Sequence, residues 1–358
     1  DLTPAGEQPR PGLLGRLLGF LMRRFTRGRD FVPGHPDREA IEAALRAAGL
    51  AWSRWSRMDA ADGTEGTPLP PEGPFRSALI RLPPAREAFD FALAAVVGVL
   101  APGGRVLVYG AGDEGIGSTG RHMVGPLDDV GVRAVGQRCR VLEGRVPVGA
   151  EVGSGAGARG EARVLARWRA VAPMDLGWGE VPWVRYPGAF GRSGVDAGTR
   201  LLLEHLPGLP PGAVFLDFGA GTGVLAAALR HRCPGARAVL VEPDALARAA
   251  ARENVPGAEF APLGSWSGAG PFDAVVANPP YHRGKAETLD PVRALVAGSA
   301  AALAPGGELR LVVQRRHPVE ALLRASFAEV ARLADHGPYR VWRATKAPAA
   351  PAGAAGAA

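Results

Sequence analysis

The chain has 358 residues, enough for two ordinary domains, with 42 basic against 35 acidic residues and a formal charge of +7. An apolar fraction of 47% with 22% charged residues describes a globular rather than a disordered protein, and 50 Gly and 33 Pro without a three-residue period exclude a collagen-like chain. Two cysteines, Cys139 and Cys233, lie far apart with no CxxC, which excludes a disulfide scaffold and a cysteine zinc site and fits a reducing compartment. The apolar run Leu13 to Met22 is broken by Arg16 and falls well short of the roughly 20 residues of a membrane span. With no secretory pattern visible, a cytoplasmic protein without membrane association is expected. All but two of the basic residues, Lys285 and Lys346, are Arg. That balance points to a polyanionic partner, although a GC-rich genome also produces it.

Arg10 to Arg29 holds six Arg and no acid, interleaved with Leu13, Leu14, Leu17, Leu18, Phe20, Leu21 and Phe25, and reads as a basic amphipathic helix within an N-terminal segment 1–35. A first domain is expected over 36–147, a linker and junction over 148–178 beginning in the glycine-rich Val148 to Gly160, and a second domain over 179–346. The Ala/Pro/Gly stretch 347–358 can bury nothing and reads as a disordered tail. The two domains share an internal repeat. Phe75-Arg-Ser-Ala-Leu-Ile-Arg-Leu-Pro-Pro84 matches Phe272-Asp-Ala-Val-Val-Ala-Asn-Pro-Pro280, and Leu100-Ala-Pro-Gly-Gly104 with its following apolar run matches Leu303-Ala-Pro-Gly-Gly307 with its own. Each copy reads strand, Pro-Pro, helix, Pro-Gly-Gly turn, strand, so βαβ units and a largely parallel sheet are expected twice.

In the second copy the apolar run Ala213 to Phe218 leads into Gly219-Ala-Gly-Thr-Gly223 and a helical pattern from Val224. A strand, a glycine turn and a helix start bring backbone N–H groups close to a ligand. The pattern is GxGxG, neither the GxGxxG of dinucleotide folds nor a Walker loop. Glu242, at the tip of the next apolar run, is placed to accept from both hydroxyls of a ribose. Asn278-Pro-Pro-Tyr281 closes the run Phe272 to Ala277. Two prolines give up two donors, so Asn278 and Pro279 present carbonyl oxygens with little competition. With the Asn278 side-chain oxygen they form a cradle for a planar amine, and Tyr281 offers a flat face for stacking.

These residues resemble class I S-adenosylmethionine-dependent methyltransferases, specifically the bacterial ribosomal RNA guanine-N2 methyltransferases with two tandem methyltransferase-like domains. Pro187-Gly-Ala-Phe-Gly191 with Asp196-Ala-Gly-Thr-Arg-Leu-Leu-Leu203, Leu216 to Leu225, Asn278-Pro-Pro-Tyr-His282, and Gly306 to Leu311 running on to Tyr339-Arg-Val-Trp-Arg-Ala344 carry the resemblance. It implies an α/β protein of two Rossmann-like domains, the second with a seven-stranded, mostly parallel sheet and the first degenerate. It implies S-adenosylmethionine as cofactor and ribosomal RNA or the small ribosomal subunit as partner, with no metal. Oligomeric state stays open, a monomer being favoured. By position, Asp217, Gly219, Gly221 and Gly223 would surround the methionine part, Glu242 would hold the ribose, Phe190 and Asp196 would close the pocket, and Asn278, Pro279 and Tyr281 would grip the acceptor. The sequence departs from the family at two points. Tyr281 stands where the family has Phe and is usual in relatives acting on adenine N6 or protein glutamine, which leaves those amines as alternative acceptors. No acid stands in Phe260-Ala-Pro-Leu-Gly-Ser265, where related enzymes often contact the adenine.

The first copy carries a literal GxGxxG, Gly110-Ala-Gly-Asp-Glu-Gly115, but after a late strand and with two acids in the loop, which argues against a phosphate site. Arg81 or Leu82 replaces the asparagine before Pro83-Pro84, so this copy is expected neither to bind cofactor nor to catalyse. Eight Arg against three acids between Arg133 and Arg169 give it a substrate-binding alternative to an ordinary solvated face. A non-enzymatic RNA-binding protein and a nicotinamide enzyme using the first-copy loop are the competing readings.

Overall fold

A computed structural model of the chain describes residues 2–4, 53–59, 64–136, 138–149, 158–189, 194–279, 282–283, 286–287 and 289–349. The basic helix expected over Arg10 to Arg29 and residues 350–358 of the expected tail lie outside them. The chain packs as two compact units. The first comprises Asp1–Ser56, Thr67–Arg169 and Arg283–Ala286, and the second Ala170–His282, Glu287–Ala358 and, from far earlier in sequence, Arg57–Gly66. No helix among the described residues is long and apolar enough to cross a membrane.

The first unit contains β1 (Leu2–Pro4), β2 (Phe75–Arg81), α1 (Arg86–Val97), β3 (Leu100–Ala111), α2 (Ile116–Met123), β4 (Asp128–Gly136), β5 (Cys139–Arg145) and α3 (Ala158–Trp168). Its five-stranded sheet has the order β1-β2-β3-β5-β4. β2 and β3 run parallel across the α1 crossover, and the other pairs are antiparallel. Phe75, Phe89, Leu93, Leu100, Val106 and Val108 close its core. The stretch 148–178, expected as linker and junction, includes a regular helix. Val164, Leu165 and Trp168 share one half-buried face of α3, and Trp168 meets the Phe91 ring edge-on at 5.6 Å. The GxGxxG loop sits as its late-strand position suggests, after β3. Glu114 accepts from the Ala111 N–H at 2.7 Å and from Arg81 at 2.5 Å, so the loop folds around its own carboxylate.

The second unit opens with a hairpin, β6 (Ala170–Asp175) and β7 (Glu180–Arg185), followed by α4 (Ala197–Leu203), β8 (Val214–Phe218), α5 (Val224–Arg232), β9 (Arg237–Val241), α6 (Ala245–Asn254), β10 (Glu259–Phe260) and β11 (Phe272–Ala277). In chain order a short strand pair follows, β12 (His282–Arg283) and β13 (Ala286–Glu287), of which Arg283 and Ala286 belong to the first unit, and then the second unit continues with α7 (Asp290–Ala302), β14 (Leu303–Gln314), α8 (Glu320–Ser326), β15 (Glu329–His336) and β16 (Tyr339–Thr345). The seven-stranded sheet has the order β10-β9-β8-β11-β14-β16-β15. Its first five strands are parallel, and β16 runs antiparallel to both neighbours. The central strands are buried on both faces, which is why they read as unbroken apolar runs. From Ala274 on, alternate residues serve opposite layers: Val275 and Ala277 pack toward α7 and α8, and Ala274 and Val276 toward α4, α5 and α6, while Phe272, before the register slip, joins the α7–α8 layer.

The repeat is visible in the backbone. The run β11-α7-β14-α8-β15-β16 has the pairing of β2-α1-β3-α2-β4-β5, strand for strand. In both parallel pairs the register slips after the first partners, Phe75 with Leu100 and Phe272 with Leu303. Gly104 and Gly307 lie where a Cβ would press on the carbonyls of Ala101 and Ala304, at 2.6 and 2.9 Å, so both turns require glycine. Among the described residues the first sheet has no counterparts of β8, β9 and β10.

Phe272 is fully buried at the entry of β11. Phe272→Ala should lower the unfolding free energy by about 3–5 kcal/mol, read from denaturant unfolding followed by tryptophan fluorescence; a loss below about 1 kcal/mol would contradict this packing.

Candidate active site

The Gly219–Gly223 loop leaves the C-terminal end of β8 and starts α5. Gly219, Gly221 and Gly223 all hold positive φ, at 71°, 56° and 94°, a conformation that side-chain-bearing residues rarely adopt. The N–H groups of Gly219 and Ala220 both donate to the Val241 carbonyl, at 2.8 and 3.0 Å, which ties the loop to the end of β9. Two buried carboxylates complete it. Asp217 accepts from the Ala226 N–H at 3.0 Å and so caps the first turn of α5 from within the sheet. Glu242 accepts from the Gly221 N–H at 2.7 Å and from the Asp244 N–H at 2.8 Å. Burial pushes both carboxyls up to about 7. The bonds from Ala226 to Asp217, and from Asp244 and Gly221 to Glu242, pull back against it, and the Glu242 charge raises Asp217 further. Asp217 Oδ1 is buried with no partner among the described residues.

Facing this loop, Asn278 and Pro279 end β11. Asn278 is half-buried, and its Nδ2 donates to Thr199 Oγ1 at 2.9 Å and more weakly to Asp196 Oδ1 and Oδ2 at 3.3 and 3.4 Å. Asp196 is itself held as the N-cap of α4. It accepts from the N–H groups of Gly198 and Thr199 at 3.0 and 3.1 Å, and from the Thr199 hydroxyl at 2.5 Å. With acceptors on one side only, the amide is oriented nitrogen inward, and its Oδ1 has no partner among the described residues. Asp196, Thr199, Gly219, Gly221 and Asn278 line one open cleft with about 400 Å³ of empty space. The nearest atom to a Cβ placed on Gly219 is the Asn278 carbonyl oxygen, at 4.0 Å, so the glycine keeps the space beside that acceptor clear.

The structure therefore gathers Asp196, Gly219, Gly221 and Asn278 around the cleft, with Glu242 joined to it through the Gly221 N–H. Gly223 serves the turn into α5, where a Cβ would strike Val255 Cγ2 at 2.6 Å. Pro279 is buried. Phe190 and Tyr281 lie outside the described residues. Sequence reasoning missed Thr199, although an aspartate three residues before a threonine at a helix start is a capping signal. It also missed the buttress behind the loop. Trp183 on β7 donates to Thr222 Oγ1 at 2.9 Å, and Asn254 ties the Thr222 carbonyl to both backbone groups of Val184.

Residues 180–343 match the family model of the methyltransferase small domain. A ribosomal RNA small subunit methyltransferase C from Pseudomonas aeruginosa is 31% identical over 282 residues, covering 76% of this chain and 80% of the relative. The chain belongs to the ribosomal RNA small subunit methyltransferase C family. Another member, from Shewanella halifaxensis, is 28% identical over 76% of this chain and 78% of its own length. The solved structure of the T. thermophilus 16S rRNA N2 G1207 methyltransferase, in complex with AdoMet and guanosine, aligns with a TM-score of 0.65 and 25% identity. That alignment covers 86% of this chain and 80% of the other.

The buried carboxyls make stability depend on pH in a defined direction. Asp217 shifts from 3.8 to about 7 on folding, so between those values unfolding releases its proton, and its contribution to stability falls as pH rises, levelling off above about 7. Asp217→Asn keeps an acceptor for Ala226 but cannot ionise. Its melting temperature should fall less steeply than the wild type's between pH 4.5 and 7; parallel profiles would show that Asp217 ionises as freely as an exposed aspartate.

Proposed function

We propose that this chain transfers a methyl group from S-adenosylmethionine to the exocyclic N2 amine of a guanine in 16S ribosomal RNA. The observation that carries the reading is the Asn278 amide, pinned through its nitrogen by Thr199 and Asp196 with Oδ1 left to accept, on the rim of the cleft that the glycine loop forms. The residues suit the cofactor. Three glycines of positive φ admit a ligand close to the backbone, the unpartnered Asp217 Oδ1 is an acceptor in search of a donor, and Glu242 is oriented by two N–H groups to meet a ribose diol.

Bound S-adenosylmethionine supplies a methyl group on a sulfonium sulfur, open to attack by an amine lone pair. Asn278 does the positioning. Its Oδ1 and main-chain oxygen accept the two N–H bonds of an exocyclic amine, which orients the nitrogen lone pair away from them. Pro279 has no N–H to compete for those acceptors. As positive charge develops on the amine the same oxygens stabilise it, and because Thr199 and Asp196 already hold the amide, no reorientation is needed. An aryl amine made cationic is strongly acidic, so its proton leaves to water without a strong base. The amine of a paired guanine is turned into the duplex, so the target nucleotide is unpaired or flipped out. We assign recruitment of the RNA to the first unit, where Arg133, Arg138 and Arg140 are exposed, through neutralisation of phosphates.

The test is incubation with labelled cofactor and separate ribosomal RNAs or subunits, followed by mass spectrometry of nucleosides. N2-methylguanosine from 16S RNA is expected, and label in adenine or in protein would overturn the acceptor. Asn278→Ala should cut kcat by about a hundredfold or more with cofactor affinity nearly intact. Thr199→Val, which frees the amide, should cost about tenfold in kcat. Glu242→Gln should instead weaken cofactor binding, read by calorimetry.

A further inference from the structure

The segment Arg57–Gly66 belongs to the second unit although it precedes the first unit's βαβ core in sequence. Its residues Arg57–Asp59 lie along the turn that follows Glu242. Met58 forms an antiparallel bridge with Asp244, flanked by two main-chain bonds: Asp59 N–H to the Pro243 carbonyl at 2.9 Å, and Ala245 N–H to the Arg57 carbonyl at 2.8 Å. Side chains lock the same turn from both ends. Arg57 donates through Nη2 to Asp244 Oδ2 at 2.5 Å and through Nε to Oδ1 at 3.3 Å, and its Nη1 reaches the Pro187 carbonyl at 3.1 Å. Arg248 on α6 donates to Asp59 Oδ1 at 2.8 Å, to the Glu242 carbonyl at 2.7 Å and to the Gly66 carbonyl at 2.9 Å. Both ion pairs are largely buried, at 16% and 13% exposure for Arg57–Asp244 and 12% and 9% for Arg248–Asp59, so they are not loose surface pairs. Gly66 closes the segment on itself, since any Cβ there would overlap the Arg57 carbonyl.

The pinned turn is the one that orients the Glu242 carboxylate. Asp244 supplies the N–H that Glu242 Oε1 accepts, while Gly221 of the glycine loop supplies the other. Asp244 also caps α6 through the Leu246 N–H at 2.9 Å. Asp244 therefore links segment, turn and helix, and its main-chain N–H sets one of the two bonds that aim Glu242.

We propose that the stretch Arg57–Asp59, braced by Arg248, is a positioning strap for the cofactor, in which Arg57, Asp59 and Arg248 fix the turn 242–245 so that Glu242 stays aligned with the glycine loop. This rests on the reading of Glu242 as the ribose-binding carboxylate. The strap touches neither Asn278 nor its holders among the described hydrogen bonds, so its effect falls on cofactor affinity and not on the acceptor. A strand-like bridge with two largely buried ion pairs removes freedom from the turn before any ligand arrives, and that preorganisation lowers the ordering cost of binding.

The test uses the full chain with Arg57→Ala, Arg57→Lys and Asp244→Asn, the last keeping a side-chain oxygen for the α6 cap while losing the charge that Arg57 grips. Calorimetry with S-adenosylhomocysteine gives the Kd, and hydrogen exchange of the peptide spanning 242–250 gives the order of the turn. Arg57→Ala and Asp244→Asn should each raise Kd by about tenfold and speed exchange in that peptide, with kcat at saturating cofactor within about twofold of wild type. Arg57→Lys should recover part of the affinity, because one ammonium can pair with Asp244 but not bridge to Pro187 in the same geometry. If Arg57→Ala fails to fold, Asp244→Asn and Arg57→Lys still decide the matter. Unchanged Kd in the folded variants, with Glu242→Gln still weakening binding, would overturn the strap while leaving the ribose assignment in place. Unchanged Kd in Glu242→Gln would instead remove the assignment on which the strap rests.

Discussion

Two buried carboxylates each take a backbone N–H from the glycine loop or from the first turn of α5, while the Val241 carbonyl takes those of Gly219 and Ala220. Asp217 takes Ala226, and Glu242 takes Gly221 and Asp244. Placing two acids in the interior is costly unless each is bonded, and both carboxyls sit near neutrality in their proton affinity as a result. Each carboxylate is held in place by backbone donors: the Gly221 N–H of the loop binds Glu242, and the Ala226 N–H of α5 binds Asp217. β8, β9, the loop, α5 and α6 are thereby tied together at the edge of the cleft, and the hairpin β6–β7 reinforces them through Trp183 and Asn254.

The opposite wall is built by a different device. α4 begins with an aspartate cap, and the same aspartate with Thr199 holds the Asn278 amide. A helix start, a hydroxyl and a strand end are thus joined through one carboxylate. The two walls divide the chemistry. In the proposed reaction, the glycine loop with Asp217 and Glu242 would serve the methyl donor, and the Asn278 amide with Pro279 would serve the amine, where a strong base is not needed.

Much of this was legible in the sequence because its causes are local. Unbroken apolar runs marked the central strands, since both faces of β8, β9, β11 and β14 are covered. GxGxG announced a positive-φ turn, and Asn278-Pro279 lies at a strand end as its pattern required. The internal repeat was readable from its Pro-Gly-Gly turns, where Gly104 and Gly307 meet the same backbone constraint. What stayed hidden depends on long-range pairing. Arg57 and Asp244 are 187 positions apart, and nothing near either one names the other. The helix α3 was concealed by the glycine-rich stretch before it, because only its packing on Phe91 reveals its apolar face. Thr199 was overlooked since its hydroxyl matters through Asn278, 79 positions away.

The loop after β3 in the first unit teaches a complementary lesson about glycine patterns. Glu114 fills the place among the loop's donors that an incoming anion would need, and Arg81 neutralises it. A phosphate arriving there would have to evict a resident negative group that is covalently part of the chain and cannot diffuse away. The spacing of glycines thus sets only whether a socket can exist; an acid inside the spacing decides whether the socket is already plugged.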